Sequence, residues 1–234
     1  MQVFYAPDIE GNQYTLDRNE SKHTVKVLRM KTGTPVNMID GSGNLYEGVI
    51  SDPDPAGCIV TIKSVIRNFE KRNYNLHIAI SLLKNPERFE WFIEKAVEIG
   101  IDQVTPLICR NTEKTGIKEE RIKNVIVAAM KQSLKAKITV LNPVESFDSF
   151  IRRNHHGSLM IAHCHSDMKR EKISDLCFRG DNAVIMIGPE GDFTREEVSE
   201  ALSNNFAHIH LGSSRLRTET AGVAACHSIY FINQ

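Results

Sequence analysis

The chain has 234 residues, and its 29 Lys and Arg residues balance its 29 Asp and Glu residues, so the formal net charge is zero with His neutral. Hydrophobic residues make up 41% and charged residues 25%, a composition that is typical of ordinary globular proteins and excludes disordered and fibrous classes. The balanced charge gives no overall signal for a nucleic-acid partner, so any basic surface must be local.

The sequence predicts neither a membrane span nor a secretory signal. Its apolar runs, such as Ala183–Ile187, are far shorter than the roughly 20 residues needed to span a bilayer. The N-terminus lacks a basic segment followed by an apolar one. The five Cys are odd in number and contain no Cys-x-x-Cys pair, which is typical of reduced thiols. We therefore expect a cytoplasmic protein with no membrane partner.

The first 70 residues predict a small β-rich unit. Segments 36–39 and 45–50 are rich in strand formers, and they flank Asp40-Gly41-Ser42-Gly43-Asn44, a run of turn formers that predicts a hairpin. A second turn over 51–57 precedes another strand, 58–65. The hairpin is favoured over a dinucleotide-binding interpretation of the glycines, because a strand follows them and not a helix.

From residue 75 onward, strand-like runs alternate with amphipathic helices, a pattern that predicts an α/β domain with a mostly parallel sheet. The predicted strands are 76–83, 104–109, 159–162, 183–187 and 209–211. In the first helix, apolar residues recur at spacings of three and four and are predicted to be buried: Phe89, Phe92, Ile93, Ala96 and Val97. The charged segment 69–73 is the predicted linker between the two regions.

Two loops that follow predicted strands suggest a ligand site. In the first, Gly188-Pro189-Glu190-Gly191 forms a tight turn, and Thr194 then opens a helix with Glu197 in a capping box. In the second, Leu211-Gly212 is followed by a polar loop with two arginines and a helix. Because the carboxyl ends of parallel strands meet at one edge of a sheet, the two loops predict one shared pocket. A purely structural turn is the alternative for the first loop.

With these residues in place, the chain resembles the RsmE family, the 16S ribosomal RNA uridine-N3 methyltransferases of the SPOUT superfamily, over nearly its whole length. The best matching segments are Ile187-Gly188-Pro189-Glu190-Gly191, Leu211-Gly212 and Leu216-Arg217-Thr218-Glu219-Thr220-Ala221. Weaker support comes from His23-x-x-Lys26-Val27-Leu28-Arg29, Lys95 with Glu98 and Gly100, and Gln132-Ser133. The chain has Asp192, Ser214 and Lys135 where the family usually has Gly, Arg and Arg.

The resemblance implies an N-terminal PUA-like β-barrel over residues 1–72 that binds RNA, and a C-terminal SPOUT α/β domain over 73–234 that contains a trefoil knot. It also implies a homodimer that methylates N3 of one uridine in 16S rRNA, within the small ribosomal subunit, with S-adenosylmethionine (SAM) as cofactor. Methyl transfer from a sulfonium needs no metal, and none is expected. The residues expected to bind SAM are Ile187, Gly188, Glu190, Gly191, Leu211, Gly212, Ser213, Leu216 and Arg217.

The chemistry of the reaction suggests two catalytic roles. Uracil N3 is mostly protonated at neutral pH, so transfer needs a group that accepts the proton and a cation that stabilises the developing negative charge. We expect Arg217 to be the cation and Glu190 to be the proton acceptor. A carboxylate that only braces the turn is the alternative for Glu190.

A basic run without acidic residues, 21–39, is the predicted RNA contact of the first domain. The residues expected to bind RNA are Lys22, His23, Lys26, Arg29 and Lys31. A solvated charged surface is the alternative.

Several other interpretations stay open at this point. A protein of the same fold could be a non-catalytic RNA-binding assembly factor, or it could methylate another RNA atom such as a ribose 2′-hydroxyl. The small residues Ala221, Gly222, Ala224 and Ala225 allow close packing of the last helix, either in a dimer or within the chain. A metal site at His155, His156, His163 and His165 is disfavoured, because no carboxylate or Cys set completes it.

Overall fold

The computed structural model describes residues 3–234, which form two compact units. The first unit consists of the chain up to Lys71 and of Val127–Ile138, and the second consists of Arg72–Ile126 and Thr139–Gln234. The division into functional domains at residues 1–72 and 73–234 stays a prediction. Among the residues described, no helical segment combines the length and the apolar character that spanning a bilayer requires.

The first unit is built on one five-stranded sheet. Its strands are β1 (Val3–Tyr5), β2 (Gln13–Thr15), β3 (Pro35–Ile39), β4 (Leu45–Asp52) and β5 (Ile59–Ile66). They lie in the order β1-β3-β4-β5-β2, with β1 parallel to β3 and the other pairs antiparallel. The predicted hairpin between β3 and β4 is confirmed. The Asp40 carboxylate supports its turn by accepting the backbone N–H groups of Ser42 (2.8 Å) and Asn44 (3.1 Å).

A short helix that the sequence pattern did not predict lies between β2 and β3. It is α1 (Arg18–Lys22), and it continues as a π-helical turn over His23–Val27. The Asp17 carboxylate begins it by accepting the backbone N–H groups of Asn19 (2.7 Å) and Glu20 (2.8 Å). Five residues are too few to give a helical hydrophobic period, so only the N-cap could have indicated this helix.

The second unit contains one parallel sheet of seven strands. They are β6 (Leu76–Ser81), β7 (Gln103–Ile108), β8 (Val140–Leu141), β9 (Glu145–Ser146), β10 (Ser158–Ala162), β11 (Ala183–Ile187) and β12 (Ala207–Ile209). The order is β12-β10-β11-β6-β7-β8, and β9 also pairs with β7. All of these pairings are parallel, as predicted. The last strand ends at Ile209, two residues earlier than predicted, so Leu211 belongs to the following loop.

Helices cover both faces of this sheet. The helices after α1 in the chain are α2 (Pro86–Ile99), α3 (Glu119–Gln132), α4 (Phe147–Ile151), α5 (Ile173–Leu176), α6 (Arg195–Ser203) and α7 (Thr218–Ile232), and α3 from Val127 onward belongs to the first unit. Ala79 of β6 packs in one apolar cluster with residues of α4 and α6, whereas its neighbour Ile80 meets α7 on the other face. Because both faces are covered, every residue of β6 and β11 is buried. The five apolar residues predicted to be buried in α2 are all buried.

The small residues of α7 allow it to pack closely on α2 within the chain. A Cβ atom on Gly222 would lie 2.5 Å from Cε2 of Phe92 and 3.0 Å from Cδ1 of Ile80. Gly222 and Ala225 are buried by this packing. At these two positions the structure therefore supports packing within the chain, the second of the two alternatives left open by the sequence.

We predict that Gly222→Val lowers the stability of the second unit. The added side chain would overlap the fully buried Phe92, and overpacking of this kind costs about 1–3 kcal/mol. The midpoint of thermal unfolding measures the effect. Gly116→Val is the control, because a Cβ atom there would meet nothing within 4 Å and the backbone conformation is an ordinary one. Equal midpoints for the two variants would contradict the packing described.

Candidate functional site

Three neighbouring strands of the parallel sheet end at one cleft. Strand β10 lies between β11 and β12, and the loops that follow these strands line a cleft of about 730 Å³. The structure thus brings the two loops singled out in the sequence to one place. All nine residues expected to bind SAM line this cleft, from Ile187 in the first loop to Arg217 in the second.

The loop after β11 is a tight turn. The N–H of Asp192 donates to the carbonyl of Pro189 (2.9 Å), and a Cβ atom on Gly188 would lie 3.0 Å from the ring of Phe193. The predicted capping box at the start of α6 is confirmed. The Thr194 N–H donates to Glu197 Oε2 (2.8 Å), and Thr194 Oγ1 accepts the Glu197 N–H (3.2 Å).

Asp192 holds two of the cleft loops together. Its φ is +63°, in the left-handed region that favours Gly, and Asp tolerates that region better than most residues. Its carboxylate accepts the backbone N–H of Cys164 in the loop after β10 (2.7 Å) and that of Phe193 (2.8 Å). At this departure from the family pattern, the chain has a backbone conformation that Gly adopts readily, and the Asp side chain adds a polar link between the loops.

The two predicted catalytic residues both line the cleft. Glu190 is exposed, and its Oε1 accepts the backbone N–H of Lys84 at 3.3 Å, a contact that fits the bracing alternative. Arg217 is also exposed and directly precedes α7. Among residues 3–234, no carboxylate forms an ion pair with Arg217, so its guanidinium is available to a ligand.

The loop after β12 lines the cleft and contains backbone donors without a partner among the described residues. Gly212 has φ +107°, and its N–H donates to His210 Nδ1 (3.2 Å). Within the described part of the chain, the backbone N–H groups of residues 213–215 have no hydrogen-bond partner. Ser214 and Arg215, at one of the departures from the family pattern, are both exposed at the rim of the cleft.

A third loop, which the sequence interpretation did not include, completes the cleft. It follows β10 and contributes Ala162, His163 and Cys164, and Arg170 further along donates to the His163 carbonyl (2.7 Å). Burial, with nearby His208, lowers the pKa of His163 to about 4, so the ring is neutral near pH 7. The predicted end of strand 159–162 was the available signal for this loop. The loop was missed because the sequence does not show that this strand lies between β11 and β12.

His163 lies close to two other histidines. The rings of His163 and His165 lie 5.4 Å apart, and those of His163 and His208 lie 5.0 Å apart. In the described part of the chain, no group of three or more His, Cys, Asp or Glu residues is arranged to hold a metal ion.

The residues expected to bind RNA lie on the surface of the first unit. Lys22 ends α1, His23 and Lys26 lie in the π-helical turn, and Arg29 and Lys31 follow it. All five side chains are exposed, and none of them forms an ion pair with any residue that the structure describes. Lys135, the third departure from the family pattern, pairs with Glu70 at 3.3 Å.

Comparison with known proteins agrees with this arrangement. A family model described as an RNA methyltransferase domain matches residues 70–230, and one described as an RNA methyltransferase PUA domain matches residues 16–63. The chain belongs to this RNA methyltransferase family. The matches confirm the predicted fold class, with a PUA-like domain before an α/β methyltransferase domain.

Curated relatives of this methyltransferase are named ribosomal RNA small subunit methyltransferase E. The protein of Rickettsia conorii is 26% identical over 92% of this chain and 88% of its own length, and that of Bacillus subtilis is 26% identical over 95% and 91%. The resemblance to the RsmE family is thereby confirmed.

Solved structures of methyltransferases have the same fold as this chain. A probable rRNA-methyltransferase from Porphyromonas gingivalis is 37% identical, with a TM-score of 0.93 over 100% of this chain and 98% of that one. A methyltransferase from Legionella pneumophila, solved with bound SAM, is 26% identical, with a TM-score of 0.87 over 99% and 97%.

We predict that Asp192→Ala is more destabilising than Asp192→Gly. Both variants lose the two hydrogen bonds of the carboxylate, and bonds to a charged group contribute about 1.5–3 kcal/mol. Only Ala leaves a Cβ atom in the left-handed region, which adds about 1–2 kcal/mol. Thermal unfolding of the three proteins at pH 7 measures the order. Equal losses in the two variants would show that the backbone at residue 192 relaxes.

Proposed function

We propose that this protein transfers the methyl group of SAM to N3 of a specific uridine in 16S rRNA of the small ribosomal subunit. The observation that carries the proposal is the cleft at the ends of β10, β11 and β12 in a chain of the RNA methyltransferase family. The names of the curated relatives support a small-subunit rRNA substrate, and the SAM-bound Legionella pneumophila structure supports the cofactor.

The cleft fits SAM in size and in the groups that line it. Its volume of about 730 Å³ lies within the roughly 300–1,000 Å³ that is usual for small-molecule sites. Ile187, Leu216 and Ala221 offer apolar surface for an adenine ring. The N–H groups of residues 213–215 offer donors, and the carboxylates of Glu190 and Asp192 favour a cationic ligand. SAM supplies a methyl group activated by a sulfonium, so the protein needs to position it and to prepare the nucleophile.

Two residues at the cleft are proposed to act on the nucleophile. Arg217 has no carboxylate partner within residues 3–234, and it would stabilise negative charge on the uracil oxygens as N3 loses its proton. Glu190 is the proton acceptor suggested by the sequence. Its contact with the Lys84 N–H equally fits the bracing role, and the Glu190→Gln variant decides between the two.

The first domain, proposed as residues 1–72, would hold the RNA while residues 73–234 carry out transfer. A uridine that is paired or stacked hides its N3 edge, so the substrate must present an accessible or flipped-out base. The exposed basic residues between Lys22 and Lys31 lie on a surface that could contact the RNA backbone. Because the whole chain has no net charge, RNA binding would depend more on shape than on bulk phosphate attraction.

We propose further that the second domain contains a trefoil knot, that the protein forms a homodimer, and that it acts in the cytoplasm. The knot is supported by the insertion of β11 between β6 and β10, two strands that precede it in the chain. The dimer is supported by exposed aromatic side chains near the end of α7, Tyr230 and Phe231, since exposed apolar patches commonly mark interfaces.

Incubation with labelled SAM and unmodified small subunits tests the function, with mass spectrometry of the digested nucleosides as the readout. We expect 3-methyluridine. A ribose-methylated nucleoside would instead place the reaction at the 2′-hydroxyl. Failure to bind SAM in calorimetry, together with retained RNA binding, would indicate a non-catalytic assembly factor.

We predict that Arg217→Ala lowers turnover at saturating SAM by about 100- to 1,000-fold, the usual loss when one group that stabilises developing charge is removed. Wild-type turnover in Arg217→Ala, with SAM binding intact, would contradict the assignment of Arg217.

If Glu190 accepts the proton, Glu190→Gln lowers turnover and changes its pH dependence. A turnover rate that is unchanged across pH would leave Glu190 the bracing role.

We predict that the double variant Lys26→Glu, Arg29→Glu binds RNA at least about tenfold more weakly, because two phosphate contacts become repulsive. Its SAM affinity should stay unchanged. The matched control is Lys118→Glu with Arg179→Glu, which reverses two charges on exposed residues of the second unit. For the wild type, the RNA affinity should fall only slightly as the salt concentration increases. A loss of SAM binding in the double variant would contradict the division of roles between the domains.

A further inference from the structure

A second pocket of about 660 Å³ adjoins the cleft. It lies between the start of α2 and the segment that leads into α7, and both elements belong to the second unit. Arg215, Leu216 and Arg217 line both the pocket and the cleft. A group held in the second pocket would therefore be adjacent to a ligand in the first.

Glu219 contributes a buried carboxylate to this pocket. The residue is only 7% exposed, and its Oε1 lies 3.7 Å from Nε of Arg88. Its Oε2 is buried and has no hydrogen-bond partner among the residues described. Because an unsatisfied buried acceptor is costly and rare, this oxygen indicates a donor that a ligand would supply.

Two arginines that line the same pocket can donate hydrogen bonds to a ligand that reaches this acceptor. Arg88 approaches Glu219 through Nε, and its terminal N–H groups form no hydrogen bond within residues 3–234. The Arg217 guanidinium is likewise without a partner in that range. The pocket therefore offers one acceptor and two sets of donors, the complement of a group with one donor between two acceptors.

Trp91 supplies an aromatic surface beside these groups. It lies three residues after Arg88 in α2 and hence on the same face of the helix, and it lines the pocket while remaining 42% exposed. A large aromatic ring left exposed next to charged groups is suited to stacking on a nucleobase. It is also the only Trp of the chain.

We propose that this second pocket holds the target uracil, stacked on Trp91, with its imide edge toward Glu219 and the two arginines. The imide edge presents the N3–H donor between two carbonyl acceptors, so Glu219 would accept N3–H while Arg88 and Arg217 donate to the carbonyl oxygens. Cytosine has a lone pair at N3 and an amino group beside it, and it would place unpaired or repulsive groups there. This inference rests on the proposed function and names the residues that select the base.

The same arrangement assigns the proton transfer. The N3–H bond breaks and its proton goes to Oε2 of Glu219, while the N3 electron pair forms the new bond to the methyl carbon. The carbon–sulfur bond breaks, and its electron pair stays on sulfur, which leaves as a neutral thioether. The protonated Glu219 then releases its proton to water. Under this assignment Glu190 braces the turn, and Glu219 is the proton acceptor.

Trp91 fluorescence tests occupancy of the pocket without any turnover. Decamers of uridylate and of cytidylate carry the same charge, so they separate base recognition from phosphate attraction. We expect saturable quenching by oligouridylate and at least about tenfold weaker binding of oligocytidylate, since a site built to pair a donor strongly rejects a base that lacks it. Glu219→Gln should abolish this preference. Equal affinities, or no quenching by either oligomer, would overturn the proposal. A signal that depends only on protein concentration would do so as well, because it would place Trp91 between two copies of the chain.

Turnover on small subunits tests the role of Glu219. We expect Glu219→Gln to lower kcat by on the order of 100-fold or more, with SAM affinity in calorimetry unchanged. The residual rate should rise about tenfold per pH unit, because hydroxide must then remove the proton. Glu120→Gln, on the exposed surface of α3, is the matched control and should behave as wild type.

The outcomes separate the two proposals. Formation of 3-methyluridine by both wild type and Glu219→Gln, with equal rates and pH profiles, would overturn the role of Glu219 and leave the proposed function standing. Absence of any methylated nucleoside with the wild type would refute the proposed function, whatever the fluorescence shows.

Discussion

The cleft depends on the parallel pairing of β11 between β6 and β10. Each residue of β11 is buried and pairs in register with both neighbours, so the end of this strand is held at a defined height in the sheet. Parallel strands put their carboxyl ends at the same edge, and the loops after β10, β11 and β12 consequently converge. The hydrophobic run Ala183–Ile187 is therefore what positions the polar loop after it, although none of its first four residues lines the cleft.

The loops need a different kind of stabilisation, because they have few apolar side chains to bury. The Asp192 carboxylate joins the turn after β11 to the loop after β10, and Glu197 accepts the N–H of Arg110 as well as that of Thr194. Each bond satisfies a backbone donor that would otherwise lack a partner. In the described part of the chain, the backbone donors of residues 213–215 have no such partner, and a ligand is proposed to bind there.

Local patterns in the sequence predicted much of this architecture. Apolar runs indicated β6 and β11, and apolar residues at spacings of three and four indicated α2. The spacing of Thr194 and Glu197 indicated the capping box. All of these features depend on residues close together in the chain. The order of strands in the sheet depends on distant pairing, so the loop with His163 was missed. For the same reason no sequence pattern indicated that Arg88 and Glu219 lie close together. The role of Asp192 required a φ value that no sequence pattern supplies.

The segment Val127–Ile138 affects the order in which the two units fold during synthesis. It completes the first unit through the bonds from the Gly43 N–H to the Ala136 carbonyl (3.0 Å) and from the Ile138 N–H to the Gly41 carbonyl (2.9 Å), and through an ion pair of Lys131 with Glu20. During translation these partners emerge long after residue 72. At roughly 5–20 residues per second, the N-terminal unit waits several seconds for its last contacts, while β6, α2 and β7 are already synthesised. The folding of the two units therefore overlaps in time. The N-terminal unit does not finish folding before the second unit begins, although it is synthesised first.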